Sequence, residues 1–325
     1  MSDRVLLLGV NGQDGILLSS LLGKKGSHIY GVGKDKKPSI ELHEKVNYFS
    51  IDIRKTEHLL EFINHYEVNA IYNLAGISSV AYSFGNPVET FEINTFAVKR
   101  LLEGLRTNFK SGLRFYQASS SEMFGISETF MQDELTPFNP VSPYAESKVE
   151  THLNCRAMRE EGFFVSAGIL FNHESIYRPE SFVTRKITSG LARISLGLQS
   201  SLTLGNLAAE RDWGFAGDYV NAMYSIINHD KPDEFVVATG IKHSIQDIID
   251  VAIKTLGLNN STNEFIKLDE SLSRPKDVKC LVGDARKCRS ELGWIPKKSF
   301  ESLISEMALH DFNLLKNKAT KDQDH

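Results

Sequence analysis

The chain has 325 residues, of which 41% are hydrophobic and 24% are charged, and its formal net charge is −4. This composition is ordinary for a folded enzyme of about two domains and excludes wholesale disorder. The slight negative charge gives no reason to expect a nucleic acid partner. The short polar start lacks the pattern of a signal peptide, and no apolar run approaches the ~18 residues that a membrane helix needs. We therefore expect a cytoplasmic protein that does not contact a membrane.

The three cysteines, Cys155, Cys280 and Cys288, lie far apart in the sequence and form no CxxC pair. An odd number of cysteines at such spacings is typical of free thiols in a reducing compartment. We predict neither a disulfide nor a metal site.

Strand and helix patterns alternate from the N-terminus. Residues 4–8 form an apolar strand that enters Gly9-Val-Asn-Gly12-Gln-Asp-Gly15, and residues 16–22 are predicted to form the following helix. Further strands are predicted near 28–32, 46–51, 70–75, 113–119 and 164–170, with helices near 56–66, 88–107 and 143–161. This alternation predicts right-handed βαβ units and a Rossmann-like α/β fold with a doubly wound parallel sheet.

The regular alternation ends near residue 170. A helix near 182–198 and a strand at 201–204 indicate a second, smaller domain, whereas residues 218–223 and 235–239 look like a late helix and strand of the first domain.

We therefore predict two interleaved α/β domains. The dinucleotide-binding domain would comprise residues 1–170 plus about 215–240, the substrate-binding domain about 171–214 plus 241–315, and residues 316–325 a frayed tail.

Gly9, Gly12 and Gly15 have the spacing GxxGxxG. Glycines let backbone N–H groups approach a pyrophosphate at the positive end of the following helix. Turns and helix caps also use glycine, but the position of this triplet between an N-terminal strand and a helix favours dinucleotide binding.

The end of the second strand leaves the type of dinucleotide open. It carries Lys34-Asp35-Lys36-Lys37 in place of a single terminal acid. Asp35 could bind an adenosine ribose and favour NAD, whereas Lys34, Lys36 or Lys37 could bind a 2′-phosphate and favour NADP. Each lysine could equally belong to a solvated turn. Asp52, at the end of the third strand, is a better candidate for the adenine edge.

Tyr144 and Lys148 follow Ser142-Pro143, a good helix start. On a helix their four-residue spacing puts both side chains on one face. A lysine ammonium favours the phenolate, so we expect the Tyr144 pKa, near ~10 in solution, to fall toward neutrality. Such a base can remove a proton from an alcohol and support dehydrogenation.

Ser120 and Glu122 lie upstream and add a hydroxyl and a carboxylate two residues apart. A lone carboxylate such as Glu122 is more often a surface group that caps a turn. Next to Ser120 and the Tyr144–Lys148 pair, it becomes a candidate second base.

The glycine loop, Ser120 and the Tyr144–Lys148 pair together resemble the extended short-chain dehydrogenase/reductase superfamily, which includes nucleotide-sugar epimerases and dehydratases. Longer motifs resemble the GDP-mannose 4,6-dehydratase family and occur in family order over nearly the whole chain. They are Phe115-Tyr-Gln-Ala-Ser-Ser-Ser-Glu-Met-Phe-Gly125, Gly168-Ile-Leu-Phe-Asn-His-Glu-Ser175, Phe182-Val-Thr-Arg-Lys-Ile187, Arg211-Asp-Trp-Gly214, Val237-Ala-Thr-Gly240, Arg274-Pro275, Gly283-Asp284 and Leu292-Gly-Trp294.

The resemblance implies catalytic roles. Tyr144 would remove the proton of the sugar's 4-hydroxyl, Lys148 would hold the nicotinamide ribose, and Ser120 would hydrogen-bond the 4-oxygen. Glu122 would take the C5 proton, made acidic by the new 4-ketone, and help to protonate the departing 6-hydroxyl. The hydride would return to C6, giving a GDP-4-keto-6-deoxy sugar and recycling a tightly bound NADP or NAD. The family usually has Thr where this chain has Ser120. Serine keeps the hydroxyl but lacks the β-methyl that restricts χ1 in threonine.

The resemblance also implies ligand contacts. Arg211 and Arg274 would clamp the GDP diphosphate, because arginine suits bidentate phosphate contacts. The sugar and its phosphate are assigned to Asn172 and Glu174, and the guanosine end to Lys186 and Val183. The implied cofactor contacts are Gly9, Gly12, Gln13, Asp14, Gly15, Lys34, Asp52, Ile53, Leu74, Ala75, Tyr144 and Lys148. His173 is interpreted as a packed, hydrogen-bonded histidine and not as an acid–base group.

The loop after the second strand departs from the family. Relatives usually carry an Arg-Arg-Ser-Ser run there, in a longer segment that binds the NADP 2′-phosphate and reaches a neighbouring subunit. Here Lys34-Asp-Lys-Lys-Pro38 replaces it. Two points therefore stay open: whether the cofactor is NADP or NAD, and whether the protein forms a homotetramer. We expect a homodimer that packs helices near 88–107 and 143–161 against a partner.

The leading hypothesis is a dehydratase of this family, because a plain dehydrogenase or reductase does not need Glu122. A dehydratase of a related GDP-sugar, such as a GDP-heptose, is an alternative. A GDP-4-keto-6-deoxyhexose reductase or 4-dehydrogenase is another, and it would have to exchange its cofactor. A non-catalytic nucleotide sensor that kept the fold is a more distant one.

Overall fold

A computed structural model of the chain describes residues 3–38, 40–108, 112–258, 262–269, 271, 278 and 280–323. The strands are β1 (Arg4–Leu8), β2 (His28–Gly33), β3 (Val46–Ser50), β4 (Ala70–Asn73), β5 (Arg114–Ser120), β6 (Val165–Leu170), β7 (Asn172–Glu174), β8 (Leu202–Leu204), β9 (Glu210–Phe215), β10 (Glu234–Val237), β11 (Lys242–Ser244), β12 (Ile266–Leu268) and β13 (Cys280–Leu281). The helices are α1 (Gln13–Lys24), α2 (Thr56–His65), α3 (Val80–Gly85), α4 (Pro87–Phe91), α5 (Ala97–Asn108), α6 (Pro143–Glu160), α7 (Val183–Ser195), α8 (Ala216–Ile227), α9 (Ile245–Thr255), α10 (Thr262–Phe265), α11 (Arg286–Leu292) and α12 (Phe300–Gln323). A π-helical turn, Glu92–Phe96, joins α4 to α5, and a 3₁₀ turn, Ser121–Phe124, follows β5.

Seven strands form one parallel sheet in the order β10-β6-β5-β4-β1-β2-β3. The predicted doubly wound α/β fold is therefore confirmed. The order reverses between β1 and β4, and in such sheets ligands bind at the carboxyl ends of the strands near this switch point. The glycine loop after β1 and the catalytic motifs after β5 therefore lie at one edge of the sheet.

Strand β1 shows why its sequence is a continuous apolar run. Val5 and Leu7 are buried in a core on one face of the sheet, together with α1 and α8, whereas Leu6 and Leu8 are buried in a core on the other face, with α2 and α5. A strand covered on both faces needs apolar side chains at every position. Each fully buried leucine stabilises the fold by about 1.5–3 kcal/mol.

The smaller unit is built around β9, which pairs with β7, β11 and β13. Helices α7, α9 and α12 pack together beside it over a separate apolar core. After β6 the chain leaves the seven-stranded sheet and enters this second sheet as β7, with only Phe171 between them. Strand β10 returns to the first sheet, and α8 packs against α1. The proposed domain boundaries themselves stay a prediction.

The C-terminal segment differs from the sequence prediction. Helix α12 continues to Gln323, so the prediction of a frayed tail is wrong for residues 316–323, while residues 324–325 lie outside the described residues. The first half of α12 buries Ile304 and Met307, which anchors the helix. Residues with good helix propensity can then propagate it, since extension costs less than nucleation.

The three cysteines are free thiols, as predicted. Across the described part of the chain, no helix combines the length and the apolar content required to span a bilayer.

Candidate active site

Gly9 and Gly12 precede α1 and Gly15 lies in its first turn, and the structural reason for glycine differs among the three positions. Gly9 has a φ of +85°, and a Cβ there would lie 2.7 Å from Ala75 N. A Cβ on Gly15 would lie 2.4 Å from Gly9 O, so this glycine allows α1 to pack closely on the loop. A Cβ on Gly12 would meet only Gly9 O, at 3.4 Å. The packing of the chain therefore does not require glycine at position 12, although close approach of a ligand would.

The start of α1 fits a dinucleotide in two further respects. Its N-cap, Gly12, offers no side chain to the N–H groups of the first turn, which are therefore available to an anion at the positive helix end. Asn11 Oδ1 is buried in the same loop without a hydrogen-bond partner. A buried acceptor normally has a donor, and a ligand hydroxyl could supply one.

The side chains of Gln13 and Asp14 mainly join α1 to the segment after β6. Gln13 Nε2 donates to His173 O at 3.0 Å, and Gln13 Oε1 accepts from Ser175 Oγ at 2.8 Å. Asp14 Oδ2 is 2.9 Å from His173 Nε2. Burial opposes ionisation of Asp14, but the charge and hydrogen bond of His173 outweigh it and lower the Asp14 pKa. The amide of Gln13 is thus occupied by protein groups, and His173 is packed and hydrogen-bonded as interpreted.

Helix α6 begins where the sequence predicts. Ser142 Oγ accepts a hydrogen bond from Ala145 N at 3.1 Å, and Pro143 takes the first helical position. This start places Tyr144 and Lys148 on the face that packs against β5. Lys148 Nζ donates to Ala118 O at 2.9 Å, and the Ser120 hydroxyl hydrogen-bonds the phenol of Tyr144.

The end of β5 also presents the carboxylate. Glu122 N donates to Ser120 Oγ at 3.3 Å, which closes the 3₁₀ turn after the strand. Glu122 Oε1 then lies 4.0 Å from Arg211 Nε, and both side chains are mostly buried. Arg211 also donates to Val278 O at 2.6 Å. The structure therefore puts Arg211, predicted to bind diphosphate, next to the candidate base.

One cavity of about 430 Å³ collects most of the predicted residues. Such a volume is in the usual range for small-molecule sites. The predicted residues that line it are Asp14, Leu74, Ser120, Glu122, Tyr144, Lys148, Asn172, Glu174, Val183, Lys186 and Arg211. The residues of the catalytic set, which come from β5, its following turn and α6, thus share one space with the residues that follow β6.

The protonation of the catalytic pair differs from the sequence expectation. Burial raises the pKa of Tyr144 to about 12, although the hydrogen bond with Ser120 opposes the rise. Burial lowers the pKa of Lys148 to about 8. The expectation that Lys148 lowers the Tyr144 pKa is wrong for this structure, because the Lys148 ammonium is bonded to Ala118 O and loss of hydration dominates both groups.

The substrate side contains a cation that the sequence reasoning missed. Arg178 lines the cavity, and its Nε donates to Glu174 Oε2 at 2.6 Å. The sequence signal that could have found Arg178 is its position shortly after β6, in the same stretch as Asn172 and Glu174. Lys186 Nζ donates to Thr203 O at 2.8 Å at the more exposed end of the cavity.

The other predicted cofactor residues do not line this cavity. Lys34 is exposed at the end of β2, and Ala75 follows β4. Asp52 and Ile53 follow β3, where the single Nε–H of Arg54 is shared between the two carboxylate oxygens of Asp52, each 3.0 Å from Nε. This bonding lowers the Asp52 pKa. Arg274 lies outside the described residues.

Comparisons with known proteins identify the family. The sequence model of the family described as GDP-mannose 4,6 dehydratase matches residues 6–307. GDP-mannose 4,6 dehydratase 2 of Arabidopsis thaliana is 41% identical over 330 aligned residues, which cover 96% of this chain and 87% of the relative. GDP-mannose 4,6-dehydratase of Yersinia enterocolitica is 34% identical, with 97% of this chain and 95% of the relative covered.

Solved structures share the fold. UDP-glucose 4-epimerase of Thermotoga maritima, with UDP-glucose, has a TM-score of 0.85 at 20% identity, covering 96% of this chain and 99% of that one. The dTDP-glucose 4,6-dehydratase of Bacillus anthracis, in complex with NAD, has a TM-score of 0.82 at 19% identity, with 98% of each chain covered.

The parallel sheet, the glycine loop and the Ser-Tyr-Lys cavity define the class of the protein, a Rossmann-like enzyme of the nucleotide-sugar epimerase and dehydratase type. With the match over residues 6–307, the chain belongs to the GDP-mannose 4,6-dehydratase family.

Proposed function

We propose that the chain is a GDP-mannose 4,6-dehydratase that converts GDP-mannose to GDP-4-keto-6-deoxy-mannose and water. The observation that carries the proposal is a single cavity that holds two candidate bases of different kinds, Tyr144 and Glu122. A reaction limited to oxidation and reduction at C4 needs no second base. Elimination of water across C5 and C6 does need one.

The residues divide the proton transfers between them. A bound oxidised nicotinamide dinucleotide supplies the hydride acceptor and one positive charge. Added positive charge favours the phenolate, so Tyr144 takes the proton of the 4-hydroxyl while Ser120 hydrogen-bonds the 4-oxygen. Glu122 takes the C5 proton and passes it to the departing 6-hydroxyl, which leaves as water. The hydride would return to C6 and the proton held by Tyr144 would balance the one that C5 regains, so that the enzyme ends as it began. General acid–base groups of this kind each contribute about 10²–10⁴-fold to rate.

Incubation of the purified protein with GDP-mannose tests the proposal by mass spectrometry. We expect a product lighter by one water and no net NAD(P)H formation. Glu122→Gln should lower the rate of water loss at least ~100-fold, whereas Glu128→Gln, an exposed control on the following loop, should not. Wild-type turnover in Glu122→Gln would contradict the dehydratase mechanism.

The same assay separates the alternatives. Loss of water from another GDP-sugar, such as a GDP-heptose, but not from GDP-mannose would change the substrate and keep the reaction. Stoichiometric production or consumption of NAD(P)H would favour a dehydrogenase or reductase. Dinucleotide binding without turnover of any GDP-sugar would favour a nucleotide sensor.

The dinucleotide that we propose is NADP. Three exposed lysines, Lys34, Lys36 and Lys37, surround the single Asp35 after β2, and cations suit a 2′-phosphate.

The assembly that we propose is a homodimer through α4, α5 and α6. This face exposes 82% of Val88, 42% of Phe96 and 45% of Leu153, and exposed apolar patches mark association surfaces. Light scattering on the eluting protein should give the mass of two chains, and Val88→Glu combined with Leu153→Glu should give one. A mass of four chains would favour the tetramer.

A further inference from the structure

A buried row of side chains extends the catalytic face of α6 by one turn. His152 lies four residues after Lys148, as Lys148 lies four after Tyr144, and it is 1% exposed. Its Nδ1 is 2.9 Å from Ser119 Oγ on β5, and its Nε2 is 3.1 Å from Glu234 Oε2 on β10. The proposed reaction assigns no role to these three residues.

Ser119 occupies the centre of the catalytic contact. The residue before it, Ala118, accepts the Lys148 ammonium, and the residue after it, Ser120, hydrogen-bonds Tyr144. Three successive residues of β5 are therefore bonded to three successive turns of α6. Ser119 also lines the cavity, and its hydroxyl contacts His152.

The surroundings of Glu234 determine which nitrogen of His152 carries a proton. Glu234 Oε1 is 2.5 Å from Arg156 Nη2, and Oε2 is 2.5 Å from Arg159 Nη2. Burial would raise the Glu234 pKa, but the bonds from His152 and the two arginines hold it well below its ordinary range. The Glu234 carboxylate lies 3.1 Å from Nε2 and favours a proton on that nitrogen, although the contact falls outside hydrogen-bond geometry. In that tautomer Nδ1 of the imidazole is an acceptor.

The direction of the Ser119–His152 hydrogen bond follows from this tautomer. Since Nδ1 of His152 accepts, Ser119 must donate its single hydrogen to it. The Ser119 oxygen can then act toward the cavity only as a hydrogen-bond acceptor.

On the basis of the proposed function, we propose that His152 is a positioning residue of the active site. Glu234 fixes its tautomer, and His152 fixes the Ser119 hydroxyl. Ser119 in turn holds the end of β5 against α6, so that Ala118 O and the Ser120 hydroxyl stay aligned with Lys148 and Tyr144. Ser119 also presents an acceptor to the bound ligand.

Substitutions test this proposal through kcat for GDP-mannose. His152→Phe keeps the ring volume and leaves Glu234 paired with both arginines, so the fold should survive. We expect kcat to fall about tenfold with little change in KM, as for the loss of one buried hydrogen bond. His152→Asn places a polar atom near the position of Nδ1 and should recover most of the rate. Arg4→Met, the control, removes an exposed ion pair with Glu67 at the start of β1 and should keep wild-type kcat.

A double-mutant cycle shows whether His152 acts through Ser119. Ser119→Ala should lower kcat as much as His152→Phe, and the double variant should be no slower than either single variant, since residues in one chain of contacts are not additive. A double variant whose loss of kcat is the product of the two single losses would overturn the proposal. Wild-type kcat in His152→Phe would also overturn it. A lowered melting temperature in His152→Phe without rescue by His152→Asn would assign a purely structural role and also overturn it.

Nitrogen-15 NMR of labelled histidine gives a readout that needs no turnover. We expect the His152 signal of the wild-type protein to show a protonated Nε2 and an unprotonated Nδ1 at neutral pH. A protonated Nδ1 would overturn the proposal even in an active enzyme. If the protein does not dehydrate GDP-mannose, the proposed function fails, but this spectrum still decides how Ser119 is held.

Discussion

The carboxyl ends of β5 and β2 lie at the same edge of one sheet, yet they are built differently. At β5, the candidate catalytic residues are mostly buried and the strand is hydrogen-bonded to α6, with 2.9 Å between Lys148 Nζ and Ala118 O. At β2, Lys34 and the residues after it are exposed. The loop there is held through its backbone, with Tyr48 OH donating to Asp35 O at 2.6 Å.

Side chains after β2 therefore tolerate substitution, whereas side chains at the end of β5 do not. A shift of any side chain at β5 leaves a buried partner unsatisfied, which costs about 1–3 kcal/mol. Side chains after β2 can be replaced while the backbone bonds remain. The choice of dinucleotide can therefore change independently of the reaction, which agrees with the position of the departure from the family pattern.

The largest expected effect comes from a substitution at the β5 end of the cavity. Tyr144→Phe keeps the buried ring but removes the base for the 4-hydroxyl, so kcat should fall about 10³-fold with little change in melting temperature. Mass spectrometry of GDP-mannose turnover measures it. Tyr82→Phe, which removes an exposed phenol, is the control. Near wild-type turnover in Tyr144→Phe would place the base elsewhere.

Two neighbouring glycines test whether the loop after β1 is shaped for its own packing or for a ligand. Gly15→Ala puts a Cβ 2.4 Å from Gly9 O and should lower the free energy of unfolding by about 1–3 kcal/mol. Gly12→Ala should change it by less than about 1 kcal/mol.

The ligand measurement then separates the two positions. Gly12→Ala should raise the Kd for the dinucleotide about tenfold, or about 1.4 kcal/mol, measured by calorimetry. Unchanged affinity in Gly12→Ala would mean that no ligand approaches this backbone.

The sequence predicted the β5 end well because its signals are local. Tyr144 and Lys148 are one helical turn apart, and Ser120 and Glu122 belong to one turn after a strand. The raised pKa of Tyr144 was not predictable, because it depends on burial by several distant elements. The approach of Arg211 on β9 to Glu122 in the turn after β5 joins residues far apart in the sequence, and no spacing encodes it. The helical end of α12 was missed because its stability comes from the buried first half.

The buried end should also show a pH dependence that the exposed end lacks. Burial lowers the pKa of Lys148 to about 8, so its ammonium loses charge as pH rises through this value. Dinucleotide affinity should then weaken, by at most about tenfold per pH unit. Lys148→Met should bind weakly with a flat profile, and a flat wild-type profile would contradict the assignment. Stability has the opposite sign: the contribution of Lys148 is lost as pH falls through about 8, because the buried amine must become charged.

The smallest expected effect lies at the β2 end. Lys34→Ala should raise the Kd for NADP several-fold, since an exposed ion pair contributes about 1 kcal/mol or less, and it should leave the Kd for NAD unchanged. Raising the salt concentration should reduce the difference, because salt screens exposed charges. Lys254→Ala, an exposed lysine on α9, is the matched control. An equal loss for NAD would mean that Lys34 does not bind the 2′-phosphate, and a larger loss of NAD affinity in Asp35→Ala would favour NAD. In every variant the kcat for GDP-mannose at saturating dinucleotide should stay at the wild-type value, because neither Lys34 nor Asp35 lines the cavity that holds Tyr144 and Glu122.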